Sequence, residues 1–238
     1  MSTAGTRLFA PAPVAIALDG LAEPDALALA RALSGRVWGF KLNDLLLRGG
    51  AEIVPRLKRY GGVFCDPKLH DIPNTVANQV RALAEAGADL VTLHASGGLA
   101  MLRAARRACP SGTRLLGVTV LTAMPEDDVR RVYGRDTAAV AEALMRVACE
   151  AGLDGVVCSP LELALADRAD PARRLLRVTP GVRPAKGAPV QGDDQQRVQT
   201  PAEALKQGAN LLVIGRPITA ARDPVAAANI VLAELGQA

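Results

Sequence analysis

The chain has 238 residues, half of them apolar, 22% charged and only 3% aromatic. These are the proportions of a water-soluble globular protein whose core must be built mainly from Ala, Leu and Val. Its formal net charge of +4 is spread along the sequence, with basic residues such as Arg103, Arg106 and Arg107 on helix faces, and one Trp, two Tyr and three Phe are too few aromatics for a single-strand nucleic-acid platform.

The first apolar stretch, 8–18, follows Arg7 in the manner of a secretory leader, but Pro11 and Pro13 interrupt it and it runs straight into Asp19. A first strand at 14–18 is the better reading. No run of about 20 apolar residues follows, so no membrane span is expected. Further short apolar runs lie at 37–40, 63–65, 90–93, 115–120, 155–158, 176–179 and 211–214. A polar or Gly-rich turn closes each run, and segments of helical period lie between them, among them 25–33, 75–86, 137–151, 161–166 and 201–207. The runs do not alternate strictly, as expected of parallel strands covered on both faces. Gly87, Gly152 and Gly208 follow helical segments and suit C-caps. Eight such βα units predict one domain, 1–238, folded as a (β/α)8 barrel. An open doubly wound sheet that binds a dinucleotide would carry G-x-G-x-x-G after its first strand, and the sequence has none.

Four cysteines, Cys65, Cys109, Cys149 and Cys158, form no C-x-x-C pair, and the two histidines, His70 and His94, form no H-x-x-x-H. This favours reduced thiols in the cytoplasm over a disulfide frame or a His-based metal site. The segment 184–196 is long, irregular and rich in Gly, Pro and Asp, as functional lids and disordered loops both are.

Barrel enzymes place their chemistry at the C-terminal ends of the strands. Those positions hold Asp19, Lys41, the string from Asp66 to Asp71, Thr122, Arg183 and the pair Gly215-Arg216. Asp66 and Lys68 are two apart, so an extended chain would put both on one face. Pro73 suits a first helical residue, with Asp71 or Ile72 in the cap position. Each feature alone also reads as a structural ion pair or a helix cap; charges converging from several strands favour a site. Loops after strands seven and eight commonly bind phosphate, for which Arg183, Gly215 and Arg216 suit. His94 reads as a hydrogen-bonded strand-end residue. Ser96, which lacks a G-x-S-x-G frame, reads as a helix cap.

The string DPKLHDIPNT at 66–75 resembles the signature D-x-K-x-x-D-I-x-N-T of orotidine monophosphate decarboxylases. The resemblance extends along nearly the whole chain through Ala17-Leu18-Asp19, Gly39-Phe40-Lys41, the Val-Leu-Thr122 end of strand five, Gly181-Val182-Arg183 and Ile214-Gly215-Arg216. It implies a cofactor-free and metal-free carboxy-lyase that converts orotidine 5'-monophosphate to uridine 5'-monophosphate. By the same resemblance, Asp19 and Lys41 hold the ribose hydroxyls. Lys41, Asp66, Lys68 and Asp71 form an alternating charge array. Thr122 meets the pyrimidine, and Arg183, Gln195, Gly215 and Arg216 bind the phosphate, with Gln196 as the alternative to Gln195. It further implies a homodimer in which Asp71, Ile72 and Thr75 reach into the neighbouring site. Mg-dependent phosphosugar decarboxylases and synthases share the D-x-K-x-x-D core of the motif but not its Ile-Pro-Asn-Thr continuation. A non-catalytic phosphate-binding barrel would be expected to have lost Asp66 or Lys68.

Overall fold

The computed structural model describes residues 8–185 and 199–236. Eight parallel strands close into a barrel in sequence order: β1 (Val14–Ala17), β2 (Gly39–Leu42), β3 (Gly62–Leu69), β4 (Leu90–His94), β5 (Arg114–Val118), β6 (Gly155–Val157), β7 (Leu176–Thr179) and β8 (Leu211–Ile214). The ring is sealed where β8 pairs with β1 through Leu212 opposite Val14 and Ile214 opposite Ile16.

Around it lie helices α1 (Glu23–Leu33), α2 (Asp44–Gly49), α3 (Ile53–Lys58), α4 (Pro73–Glu85), α5 (Gly98–Ala108), α6 (Glu126–Tyr133), α7 (Thr137–Glu150), α8 (Leu163–Ala169), α9 (Pro201–Lys206), α10 (Arg216–Thr219) and α11 (Pro224–Glu234). Their starts follow local chemistry. Asp136 accepts a hydrogen bond from the Ala139 N–H at the head of α7, and Thr200 and Glu203 form a capping box at α9, satisfying amides that have no partner inside the helix. None of these helices is long and apolar enough to cross a membrane.

Strand alternation sorts the apolar residues into two layers. Val63 and Cys65 of β3 pack outward with Val76 and Val80 of α4 in the larger cluster between sheet and helices. Phe64 points inward with Ala15, Ala17, Leu90, Leu116, Val178, Leu211 and Val213. All three phenylalanines, Phe9, Phe40 and Phe64, are fully buried. Phe9 meets Trp38 edge-on, with ring centroids 5.2 Å apart, in the same inner cluster.

Two strands depart from the expected boundaries in ways that matter for function. β2 starts and ends two residues later than the 37–40 run, which brings Lys41 inside the strand. β3 continues past the 63–65 run to Leu69, and Asp66 and Lys68 of this extension line a cavity. A shift of register against β4 falls between Cys65 and Leu69. The predicted helix at 161–166 begins instead as a 3-10 turn, Pro160–Glu162, that leads into α8.

Candidate active site

The C-terminal ends of the strands open on a cavity of about 550 Å3. Ala17, Phe64 and Val213, which belong to the inner cluster, contribute to its lining. Asp19, Lys41, Asp66 and Lys68 line one side, and Val118, Val120, Leu121, Thr122, Val157 and Cys158 another. Pro180, Gly181, Arg183, Gly215 and Arg216 come from the ends of β7 and β8. Of the residues expected at strand ends, Asp19, Lys41, Asp66, Lys68, Thr122, Arg183, Gly215 and Arg216 are therefore brought together.

The charged side is one connected array. Lys41 Nζ donates to Asp19 Oδ2 at 2.8 Å and to Asp66 Oδ2 at 3.1 Å. Lys68 Nζ donates to the same Asp66 oxygen at 2.7 Å. Signs alternate, and the four formal charges cancel. Lys41 is 7% exposed and Asp66 5%, a degree of burial that ionised groups tolerate only when paired and hydrogen-bonded. Burial would raise the Asp66 carboxyl, but the ammonium groups of Lys41 and Lys68, with hydrogen bonds from Lys68 and Thr92, hold it below the ordinary carboxylate range. Burial would likewise lower Lys41, and the carboxylates of Asp66 and Asp19 raise it above its ordinary value. All these shifts favour the ionised forms.

Asp66 and Lys68 do meet, but not through plain strand alternation. The chain between them is irregular, and Lys68 has a φ of +52°. This left-handed backbone is rare outside glycine and tends to be retained at functional sites. Two residues that the sequence reading missed support the irregular stretch. Asn43 Nδ2 donates to the Asp66 carbonyl at 2.7 Å. Thr92 Oγ1 donates to Asp66 Oδ1 at 2.8 Å and accepts from the Lys68 N–H at 3.0 Å. The available signals were slight: Asn43 stands two residues beyond Lys41, and Thr92 is the lone hydroxyl in the run 90–93.

Asp71, Ile72 and Thr75 do not line the cavity of their own chain. Asp71 Oδ1 accepts from the Ile72 N–H at 2.6 Å. Ile72, 66% exposed, occupies the N-cap position of α4 with Pro73 as the first helical residue. Gln195 and Gln196 lie outside the described residues. Arg183 donates from Nη1 to the Val182 carbonyl at 3.0 Å, beside the bridge between Val182 and Gln199. Arg216 opens α10, and Gly215 packs so close to Ala17 that an added Cβ would lie 3.3 Å from the Ala17 Cβ.

Two smaller expectations are refined. His94 does end β4, where its ring lies 5.4 Å from that of His70, and burial, then His70 and Lys68, lower its pKa. Ser96 is not a helix cap. It sits inside the 3-10 turn Ala95–Gly97, and Gly97 holds the N-cap position of α5, because the intervening turn delays the helix by one residue.

Residues 12–231 match the family model described as orotidine 5'-phosphate decarboxylase / HUMPS family. The chain is 44% identical over 229 residues to an orotidine 5'-phosphate decarboxylase of Dichelobacter nodosus, covering 94% of this chain and 98% of the relative. It is 45% identical over 230 residues to one from Nitrosococcus oceani, covering 93% and 97%. Among solved structures it resembles an uncharacterized conserved protein from Geobacillus kaustophilus, with a TM-score of 0.78, 33% identity, and 93% and 99% of the two chains covered. It also resembles an orotidine 5'-phosphate decarboxylase from Lactobacillus acidophilus, with a TM-score of 0.75, 34% identity, and 93% and 98% covered.

Proposed function

The chain belongs to the orotidine 5'-phosphate decarboxylase / HUMPS family, and from that premise we propose that it is a carboxy-lyase converting orotidine 5'-monophosphate to uridine 5'-monophosphate in pyrimidine synthesis in the cytoplasm. The observation that carries this reading is the Asp66 carboxylate, buried and shared by two ammonium groups, in a cavity that Arg183 and Arg216 also line.

Breaking the bond between C6 and the carboxylate releases CO2 and leaves the electron pair on C6, where the ring cannot delocalise it as an ordinary enolate. An ammonium held beside C6 lowers the energy of that anion, and a group fixed beforehand needs no reorganisation as the charge develops. Lys68 fills this role. It then transfers a proton from Nζ to C6 and regains one from water. Asp66 holds the ammonium in place and crowds the substrate carboxylate. Two like charges about 4 Å apart repel by roughly 4 kcal/mol at an effective dielectric near 20. Relief of that repulsion is worth up to about a thousandfold in rate, ranked below stabilisation by Lys68 because ground-state destabilisation is contested.

Asp19 and Lys41 hold the ribose hydroxyls, Thr122 meets the pyrimidine edge, and Arg183, Gly215, Arg216 and Gln195 or Gln196 bind the phosphate. Binding energy from this remote phosphate is spent on orientation and desolvation at the reacting carbon. Asp71, Ile72 and Thr75 act in the neighbouring site of a homodimer, a role that the exposure of Ile72 supports.

The reaction runs without a metal or cofactor. Both Asp66 oxygens are already engaged, Oδ2 by Lys41 and Lys68 and Oδ1 by Thr92, so this carboxylate is a poor fit for the Mg2+ that phosphosugar relatives use. Loss of orotidine monophosphate absorbance on adding purified protein tests the reading, with and without EDTA. Equal turnover in both arms is expected. No turnover, or turnover only with added Mg2+, would refute it.

A further inference from the structure

We propose that Thr92 is a positioning residue that sets Lys68 for proton delivery to the substrate carbon; the proposal rests on the decarboxylase reading above. The starting observation is the pairing of β3 with β4. Cys65 faces Val91 and Leu69 faces Leu93, so β3 takes four steps where β4 takes two. The backbone groups between are displaced from the regular ladder, yet buried polar groups need partners. A side chain from β4 supplies one: the Lys68 N–H donates to Thr92 Oγ1 at 3.0 Å.

A threonine hydroxyl has one proton to give. Its oxygen accepts from Lys68, and its proton goes to Asp66 Oδ1, 2.8 Å away. One wholly buried atom thus fixes two things at once. It holds the backbone of Lys68 in its left-handed conformation. It also occupies one Asp66 oxygen, so that the other faces Lys68 Nζ at 2.7 Å and Lys41 Nζ at 3.1 Å. The β-branch restricts χ1, so the hydroxyl is held at little entropic cost. Thr92 does not line the cavity; it acts through Asp66 and Lys68.

Replacing Thr92 by Val keeps the shape and removes both bonds. Because a small misplacement of a reacting group costs on the order of 100-fold in rate, Thr92→Val should lower kcat about 100-fold. KM should stay within about threefold, since Asp19, Arg183 and Arg216 are untouched. Thr92→Ser restores the hydroxyl and should recover most of kcat. Amide hydrogen exchange supplies a readout independent of turnover: with its bond lost, the Lys68 amide should exchange roughly tenfold faster in Thr92→Val than in the wild type or Thr92→Ser. Unchanged kcat in the Val variant, a Ser variant no better than Val, or unchanged exchange at Lys68 would each overturn the proposal. A wild-type protein with no turnover would sink the decarboxylase reading instead, and the exchange rates alone would then decide the role of Thr92.

Discussion

The mouth of the barrel has two unlike halves. The half built from β1 to β4 carries charge inside the sheet: Lys41 and Asp66 belong to strands, and Asp19 follows β1 by two residues. The half built from β5 to β8 is walled by aliphatic side chains such as Val118 and Val157. Among the described residues, the cations that line it stand beyond the strands, Arg183 after β7 and Arg216 at the first residue of α10. In the first half each charge is held by another charge of the same chain, and the rigid sheet fixes their separations. The difference fits the proposed division of labour, in which Asp66 and Lys68 of β3 serve the chemical step and the cations beyond β7 and β8 serve binding.

The harshest way to break that comparison is Lys68→Ala. We expect kcat to fall by about 10^3-fold or more, with a melting curve close to that of the wild type; near-normal turnover would remove the first half from the chemistry. Arg216→Ala tests the second half. Its signature should be a raised KM and a loss in kcat/KM of about 100-fold. Initial rates across substrate concentrations would show this, and a pure kcat effect would erase the division of labour. Mixing the inactive variants Asp66→Ala and Asp71→Ala asks whether the charged half extends into a second subunit. Random hybrid dimers would restore roughly a quarter of wild-type activity if each site draws on both chains; no recovery after verified subunit exchange would confine the array to one chain.

The smallest effect concerns acid. Burial, then His70 and Lys68, depress the pKa of His94 in the folded state, whereas the unfolded chain takes up that proton near the ordinary value of about 6.5. The unfolded state therefore binds more protons as pH falls below about 6.5, and stability declines toward the folded pKa. Denaturant midpoints at several pH values should show a shallower decline in His94→Asn than in the wild type. Asp66 acts in a separate window. Its carboxylate is depressed in the folded state, so its contribution is present above about 3.9 and lost below it.

Much of this was legible in the sequence because barrels repeat one unit. The apolar runs mark the strands, and the charges that follow them mark the mouth. What escaped was tertiary register. Period-two alternation accounts for Asp66 facing the cavity, but nothing in the string predicts the left-handed backbone at Lys68 or the slipped pairing with β4. Thr92 was hidden for a related reason: a single hydroxyl in an apolar run looks like an ordinary strand residue until its neighbour strand is known. Ser96 was misread because a short 3-10 turn, which has no strong sequence signal, displaced the helix start.

Phe9, set edge-on against Trp38, belongs to the side-chain packing that fills the barrel's interior. A barrel filled in this way is a cup and not a tube, so anything that reaches Asp66 comes and goes over one rim. In the proposed reaction both products would therefore leave by the rim through which the substrate entered.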